Sequence, residues 1–238
     1  MNALNTALKG TAIALLTAGL TTNAFAADAS SSGQTTIVDQ AWSQIAASKG
    51  SKCKVERIEK AWIDAGKPKV KGWAEDVTDA EAKAAYECIK GALLQRFAKS
   101  DEKGAQYEGW AIYNTQAYES STHGGRFVNN YADKTASVYG KFEESGPMPV
   151  GSILVKDSFG INKKGQVKPG PLFTMIKMEK GFNEKSDDWR YALIFPNGKL
   201  MGATNGKNSK KLGFCINCHI SAKENDSMLF IPDEFRVN

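Results

Sequence analysis

The chain has 238 residues, 42% of them hydrophobic, and a formal net charge of +5 at pH 7. That length suits one large domain or a domain with an extension. Charges of both signs are mixed along it, without the concentrated basic patch that nucleic acid requires, so no nucleic-acid partner is expected.

The first residues read as an export signal. Lys9 supplies the positive charge, Thr11–Leu20 is a small-residue apolar run, and Ala24-Phe25-Ala26 gives a small-x-small cleavage site. A membrane anchor is the rival reading, but a span needs roughly 20 apolar residues, and this run is shorter and broken by threonines. A signal peptide over 1–26 and a periplasmic mature chain without a membrane span are therefore expected. Residues 27–36, rich in Ser and Thr, read as a leader.

Three helices are predicted next. Ile37, Ala41, Trp42 and Ile45 share a helical period that Gly50 can end. A second helix fits Cys53 to Ala65, with Val55, Ile58, Trp62 and Ile63 as its stripe and Gly66 and Pro68 as its stop. The third opens on a Thr78/Glu81 capping box, and Tyr86, Ile89, Leu93 and Phe97 line one face. Cys53 and Cys88 stand apart from the other two cysteines, and in an oxidising compartment they are expected to pair. Two buried free thiols are the alternative. Residues 27–106 thus read as a helical N-terminal extension.

The pattern then changes to strands. Trp110 and Ile112 suggest one, His123-Gly124-Gly125 marks a turn, and Arg126–Tyr131 suggests another, followed by a short helix over 133–143. Ser152–Phe159 and Leu172–Met178 are strand-like, with Gly165, Pro169 and Gly170 punctuating a loop between them. Trp189–Phe195 and Lys199–Ala203 flank Pro196-Asn197-Gly198, a hairpin signal. The fold class expected is α+β, helices first and a mainly antiparallel sheet after them.

Cys215-Ile216-Asn217-Cys218-His219 carries the chemistry. Two thiols three residues apart can add to the haem vinyl groups as thioethers, and the adjacent imidazole becomes the proximal iron ligand. A zinc site would need four ligands, or three and a water. A thioredoxin-like pair would need a βαβ context that the sequence lacks. One haem c, held by Cys215, Cys218 and His219, is the expectation. His123, Met148, Met175, Met178, Met201 and Met228 are the candidates to close the sixth iron position, which otherwise stays open to a ligand.

Five segments carry a family resemblance. They are Gly125-Arg126-Phe127-Val128-Asn129-Asn130-Tyr131, then Gly146 through Phe159, Gly170-Pro171-Leu172-Phe173, Asp188-Trp189-Arg190-Tyr191, and Phe214 with the haem motif. In this order they resemble cytochrome P-460 and its relatives, the cytochromes c-prime-beta, over roughly residues 107–238. The resemblance implies a mainly antiparallel sheet, a homodimer and a five-coordinate haem. In hydroxylamine-oxidising members a lysine bonds covalently to the porphyrin rim; Lys156 occupies the matching position, and Arg126 matches a distal-pocket arginine. Those members also use a distal carboxylate to move protons. No residue here matches it by motif, leaving Glu143, Glu144, Asp157 and Glu179 as candidates. The implied function is oxidation of hydroxylamine or a related small nitrogen species, with electrons passed to a redox partner protein. A non-enzymatic nitric oxide binder and a simple electron carrier are the alternatives.

Read from the residues alone, Lys156 lies in a strand with apolar positions on both faces, Leu154 on its own and Ile153 and Val155 on the other. A lysine buried there is rare unless paired or reacted, and burial lowers its pKa toward a neutral, nucleophilic amine. A strand-end lysine paired with Asp157, or reaching solvent, is the competing reading. Arg126 is open between a ligand contact and a surface salt bridge.

Overall fold

The computed structural model describes residues 53–237. The expected signal peptide, leader and first helix lie outside the described residues.

Helix α1 spans Glu56–Asp64 and helix α2 spans Asp79–Phe97. The first begins later than its apolar stripe suggested, because Lys54 bridges to Gln166 and the Val55 amide donates to the Gly165 carbonyl, both of which hold the chain extended. It ends at Gly66, whose φ of 76° suits glycine. The capping box of α2 is formed in both directions: Thr78 Oγ1 accepts from the Glu81 amide, and the Glu81 carboxylate accepts from the Thr78 amide. Cys53 and Cys88 form a disulfide, with Cα atoms 5.9 Å apart, that joins the segment before α1 to the middle of α2.

Eight strands follow among the described residues, all paired antiparallel: β1 (Ala111–Ile112), β2 (Tyr118–Ser120), β3 (Arg126–Ala132), β4 (Ile153–Ile161), β5 (Val167–Pro169), β6 (Leu172–Lys177), β7 (Trp189–Ile194) and β8 (Leu200–Ala203). The main order is β1-β3-β4-β6-β7-β8, with β2 also on β3 and β5 also on β4. Helix plus antiparallel sheet is the α+β class expected. Two short strands, β2 and β5, were not. β5 falls where punctuation suggested only a loop, and Pro169 is tolerated because β5 is a short edge strand whose last residue it is. The expected helix over 133–143 is instead a 3₁₀ segment, Ser137–Glu144, broken at Phe142 with φ 51°.

Strand alternation divides the core in two. On one face Tyr86, Ile89, Leu93 and Phe97 of α2 pack against Tyr131, Val155, Phe159, Leu172 and Ile194. On the other, Val128, Leu154, Trp189 and Tyr191 meet Tyr139, Leu212, Met228 and Ile231 from the connections and the C-terminal segment. Each fully buried Phe or Leu contributes roughly 1.5–3 kcal/mol, so both layers stabilise the sheet. The helices that read as an extension share the sheet's core and close the face opposite the candidate site.

Candidate functional site

Helix α3 spans Gly213–His219 and carries Cys215, Cys218 and His219. Positions i, i+3 and i+4 lie on one helical stripe, so the spacing that marks the motif also aims all three side chains one way. They line a cavity on the sheet face opposite α1 and α2. Lys156, Phe173, Met175 and Tyr191 form its floor, and His123, Tyr139, Met228 and Leu229 are among its walls. Cys215 and Cys218 are free thiols, and burial pushes the Cys215 pKa up to about 11.

His219 is held from behind. Its Nδ1 lies 2.9 Å from the Ser227 carbonyl oxygen. A carbonyl only accepts, so Nδ1 carries the proton and Nε2 keeps its lone pair. Burial pulls the His219 pKa down to about 4, which keeps the ring neutral and able to ligate. The carbonyl is aimed by a left-handed turn, φ 54° at Asp226 and 57° at Ser227. Several contacts hold that turn. Ser227 Oγ donates to Asp187 Oδ2 at 2.5 Å, Trp189 Nε1 to the Asp226 carbonyl at 2.7 Å, and the Met148 amide to Asp226 Oδ2 at 2.9 Å. Lys177 pairs with Asp226, the two side chains only 13% and 9% exposed.

Lys156 lines the same cavity, and burial lowers its pKa to about 8. It is in no ion pair among the described residues. Pairing with Asp157 is overturned: Asp157 points to the opposite face, where its carboxylate accepts from Tyr86 and Tyr107 hydroxyls, each at 2.8 Å, and from Asn129 at 3.1 Å. Burial raises the Asp157 pKa.

Arg126 is on the Lys156 side of the sheet but does not line the cavity. Its guanidinium stacks over Trp73, 5.4 Å from the ring centroid, and donates from Nη1 to the His123 carbonyl at 3.0 Å. Of the six candidates for the sixth position, His123, Met175 and Met228 line the cavity, whereas Met148, Met178 and Met201 do not. None of the candidate carboxylates reaches it either. Glu143 binds Arg236 at 2.7 Å, Glu144 and Glu179 are exposed, and Asp157 is behind the sheet.

Sequence reasoning passed over Phe173, Tyr191 and Ser227. Alternation along β6 and β7 could have found the first two, since both share the face of Met175. Nothing in the sequence marks Ser227, whose part in the site comes from its carbonyl.

The donor set suits a haem. Two thiols and a neutral imidazole face one apolar-floored cavity, and among the described residues neither the imidazole Nε2 nor the buried Tyr191 hydroxyl beside it has a hydrogen-bond partner. Tyr191 also packs against His219 at a tilt, ring centroids 5.1 Å apart. No helix among the described residues is long and apolar enough to cross a membrane. No curated protein matches the chain. The Cytochrome P460 family does match it, over residues 104–231, and with that span covering more than half its length, the chain belongs to the cytochrome P460 family.

Proposed function

We propose that this chain is a periplasmic mono-haem c-type cytochrome that oxidises hydroxylamine, or a related small nitrogen compound, at an open iron site. The observation that carries the reading is the convergence of Cys215, Cys218, His219 and Lys156 on one cavity. When bound there, a haem would supply an iron able to bind the nitrogen ligand and accept its electrons. Cys215 and Cys218 would hold the porphyrin as thioethers, and His219 Nε2 would ligate the iron, made more basic by its Nδ1 hydrogen bond to Ser227. The Lys156 amine would be the nucleophile for the porphyrin rim, its lowered pKa keeping a neutral fraction at hand, with a rim C–H replaced by C–N and two electrons taken up by an external oxidant such as peroxide. The apolar floor of Phe173 and Met175 limits water around the ligand. The family resemblance supports a homodimer, and a reaction that releases electrons needs a redox partner protein to take them.

A second reading has its own support. With no carboxylate on the cavity wall among the described residues, a non-enzymatic nitric oxide binder fits as well as the signal of Lys156 allows. The two separate on one preparation. Protein matured in a host competent for cytochrome c assembly is analysed by intact mass, by ferric and ferrous optical spectra, and for hydroxylamine-dependent reduction of an artificial electron acceptor. We expect colour that survives acid–acetone extraction, a broadened and red-shifted ferrous Soret band that Lys156→Leu abolishes, and turnover. Tight nitric oxide binding without turnover selects the second reading, and colourless extracted protein sinks both.

A further inference from the structure

A reaction that draws electrons from a protic nitrogen compound must also dispose of its protons, and the cavity offers few groups for that. The two thiols are consumed by attachment, Lys156 by the proposed bond to the porphyrin, and His219 is committed on both nitrogens, while the buried Tyr191 hydroxyl has no partner among the described residues to pass a proton to. His123 is the lining imidazole with hydroxyl partners of its own. Its ring stands edge-on to Phe173, centroids 4.8 Å apart, while His219 stands over Tyr191. Phe173 faces Leu193 across the β6–β7 ladder, which makes Tyr191 its diagonal neighbour, a spacing of about 7–8 Å. The two imidazoles therefore rise from different parts of one floor.

His123 also has a route outward. Nδ1 lies 2.8 Å from Ser120 Oγ and 3.2 Å from Thr122 Oγ1, and the two hydroxyls are 3.3 Å apart. Thr122 is exposed to solvent. Nε2 makes no hydrogen bond among the described residues, so it is the edge free to meet a ligand. The Arg126 contact to the His123 carbonyl fixes the turn that presents the ring, and Gly124 beside it takes a left-handed φ of 84° that favours glycine.

Resting on the haem reading above, we propose that His123 is the proton relay of this cavity, accepting a proton at Nε2 from the N–H or O–H of a bound ligand and passing one on through the Ser120 and Thr122 hydroxyls. The ligand's X–H bond breaks and leaves its electron pair on X, and an Nε2–H bond forms. The Nδ1–H bond breaks as its proton goes to a hydroxyl oxygen, and that hydroxyl releases its own proton to water. One proton thus crosses from cavity to solvent with the ring neutral throughout, and rotation of the ring about its Cβ–Cγ bond then turns the protonated nitrogen to the hydroxyls and the free nitrogen to the cavity, ready for the next proton. Burial holds the His123 pKa down to about 2, so a charged imidazolium is disfavoured in the cavity.

Hydrogen cyanide tests this without turnover, because it must lose its proton to bind ferric iron, whereas nitric oxide carries none. On covalently loaded protein, His123→Phe should slow cyanide association about a hundredfold, the low end of general-base contributions. It should leave nitric oxide association within a few-fold, and added imidazole should restore part of the cyanide rate. The double variant Ser120→Ala/Thr122→Val keeps the ring and should slow cyanide several-fold with a solvent deuterium isotope effect altered from wild type. A haem-bearing His123→Phe protein with an unchanged cyanide rate, or with both rates reduced equally, overturns the relay alone. So does a low-spin ferric wild type that turns high-spin on substitution, which would make His123 an iron ligand. Absence of covalent haem overturns the relay and the proposed function together.

Discussion

Single residues show how alternation along β4 separates two buried polar groups that are neighbours in sequence. Lys156 faces the cavity, and Asp157 faces the helices among Tyr86, Tyr107 and Asn129. Asp157→Leu should destabilise the protein by about 3 kcal/mol in denaturant unfolding, because the donors aimed at the carboxylate are left without an acceptor. The native titration has a definite sign. A carboxyl whose pKa is raised on folding binds more protons folded than unfolded, so its contribution to stability falls as pH rises from the usual carboxylate range through the raised value. The difference in stability between wild type and Asp157→Asn, followed against pH, should carry that slope, and a slope of opposite sign would refute the burial argument. The lysine's chemistry was legible in part, since apolar positions on both faces of the strand implied burial. The partners of Asp157 were not, because they depend on the tyrosines that α2 and the following loop bring to the other face.

Whole elements are positioned by their ends. The capping box of α2 is tied further by Arg57, whose guanidinium donates to both Glu81 oxygens at 2.7 and 2.9 Å and holds the Glu81 pKa down to about 2. A depressed carboxylate stabilises above its unfolded pKa and loses that contribution as pH falls through the folded one. Glu81→Gln should therefore cost about 1 kcal/mol near neutrality, and the gap from wild type should close between about pH 4.5 and 2 in thermal melts. The turn behind His219 is the functional counterpart. Lys177→Met leaves the Asp226 carboxylate without its partner in a nearly closed site, at a cost of roughly 3 kcal/mol, and loosens the Ser227 carbonyl. The loaded variant should show a shifted reduction potential and an altered ferric spectrum, and an unchanged potential would free His219 from that turn. The helices and long strands were readable because periodicity and caps are local. The strands β2 and β5 and the helical state of residues 213–219 were not, since elements this short gain their stability from neighbours rather than from propensity.

Across the whole molecule, the Cys53–Cys88 bridge ties the helical layer to itself, and the shared core ties that layer to the sheet. The bridge separates residues 35 apart in sequence; on the chain-entropy account, replacing both cysteines by alanine should lower stability by about 3–4 kcal/mol, measured by denaturant unfolding. Equal stability would mean that the helices are held by packing alone. The haem motif, the capping box, the alternation of β4 and the hairpin at Pro196-Asn197-Gly198 were written in the sequence, because each depends on residues close together along the chain. The tertiary structure decided which distant groups meet. It placed His123 on the cavity and Arg126 behind it, turned Asp157 and the other carboxylates away, and brought the Ser227 carbonyl to His219. Strand order and backbone turns set those meetings, and neither is encoded by the spacing of the residues that meet.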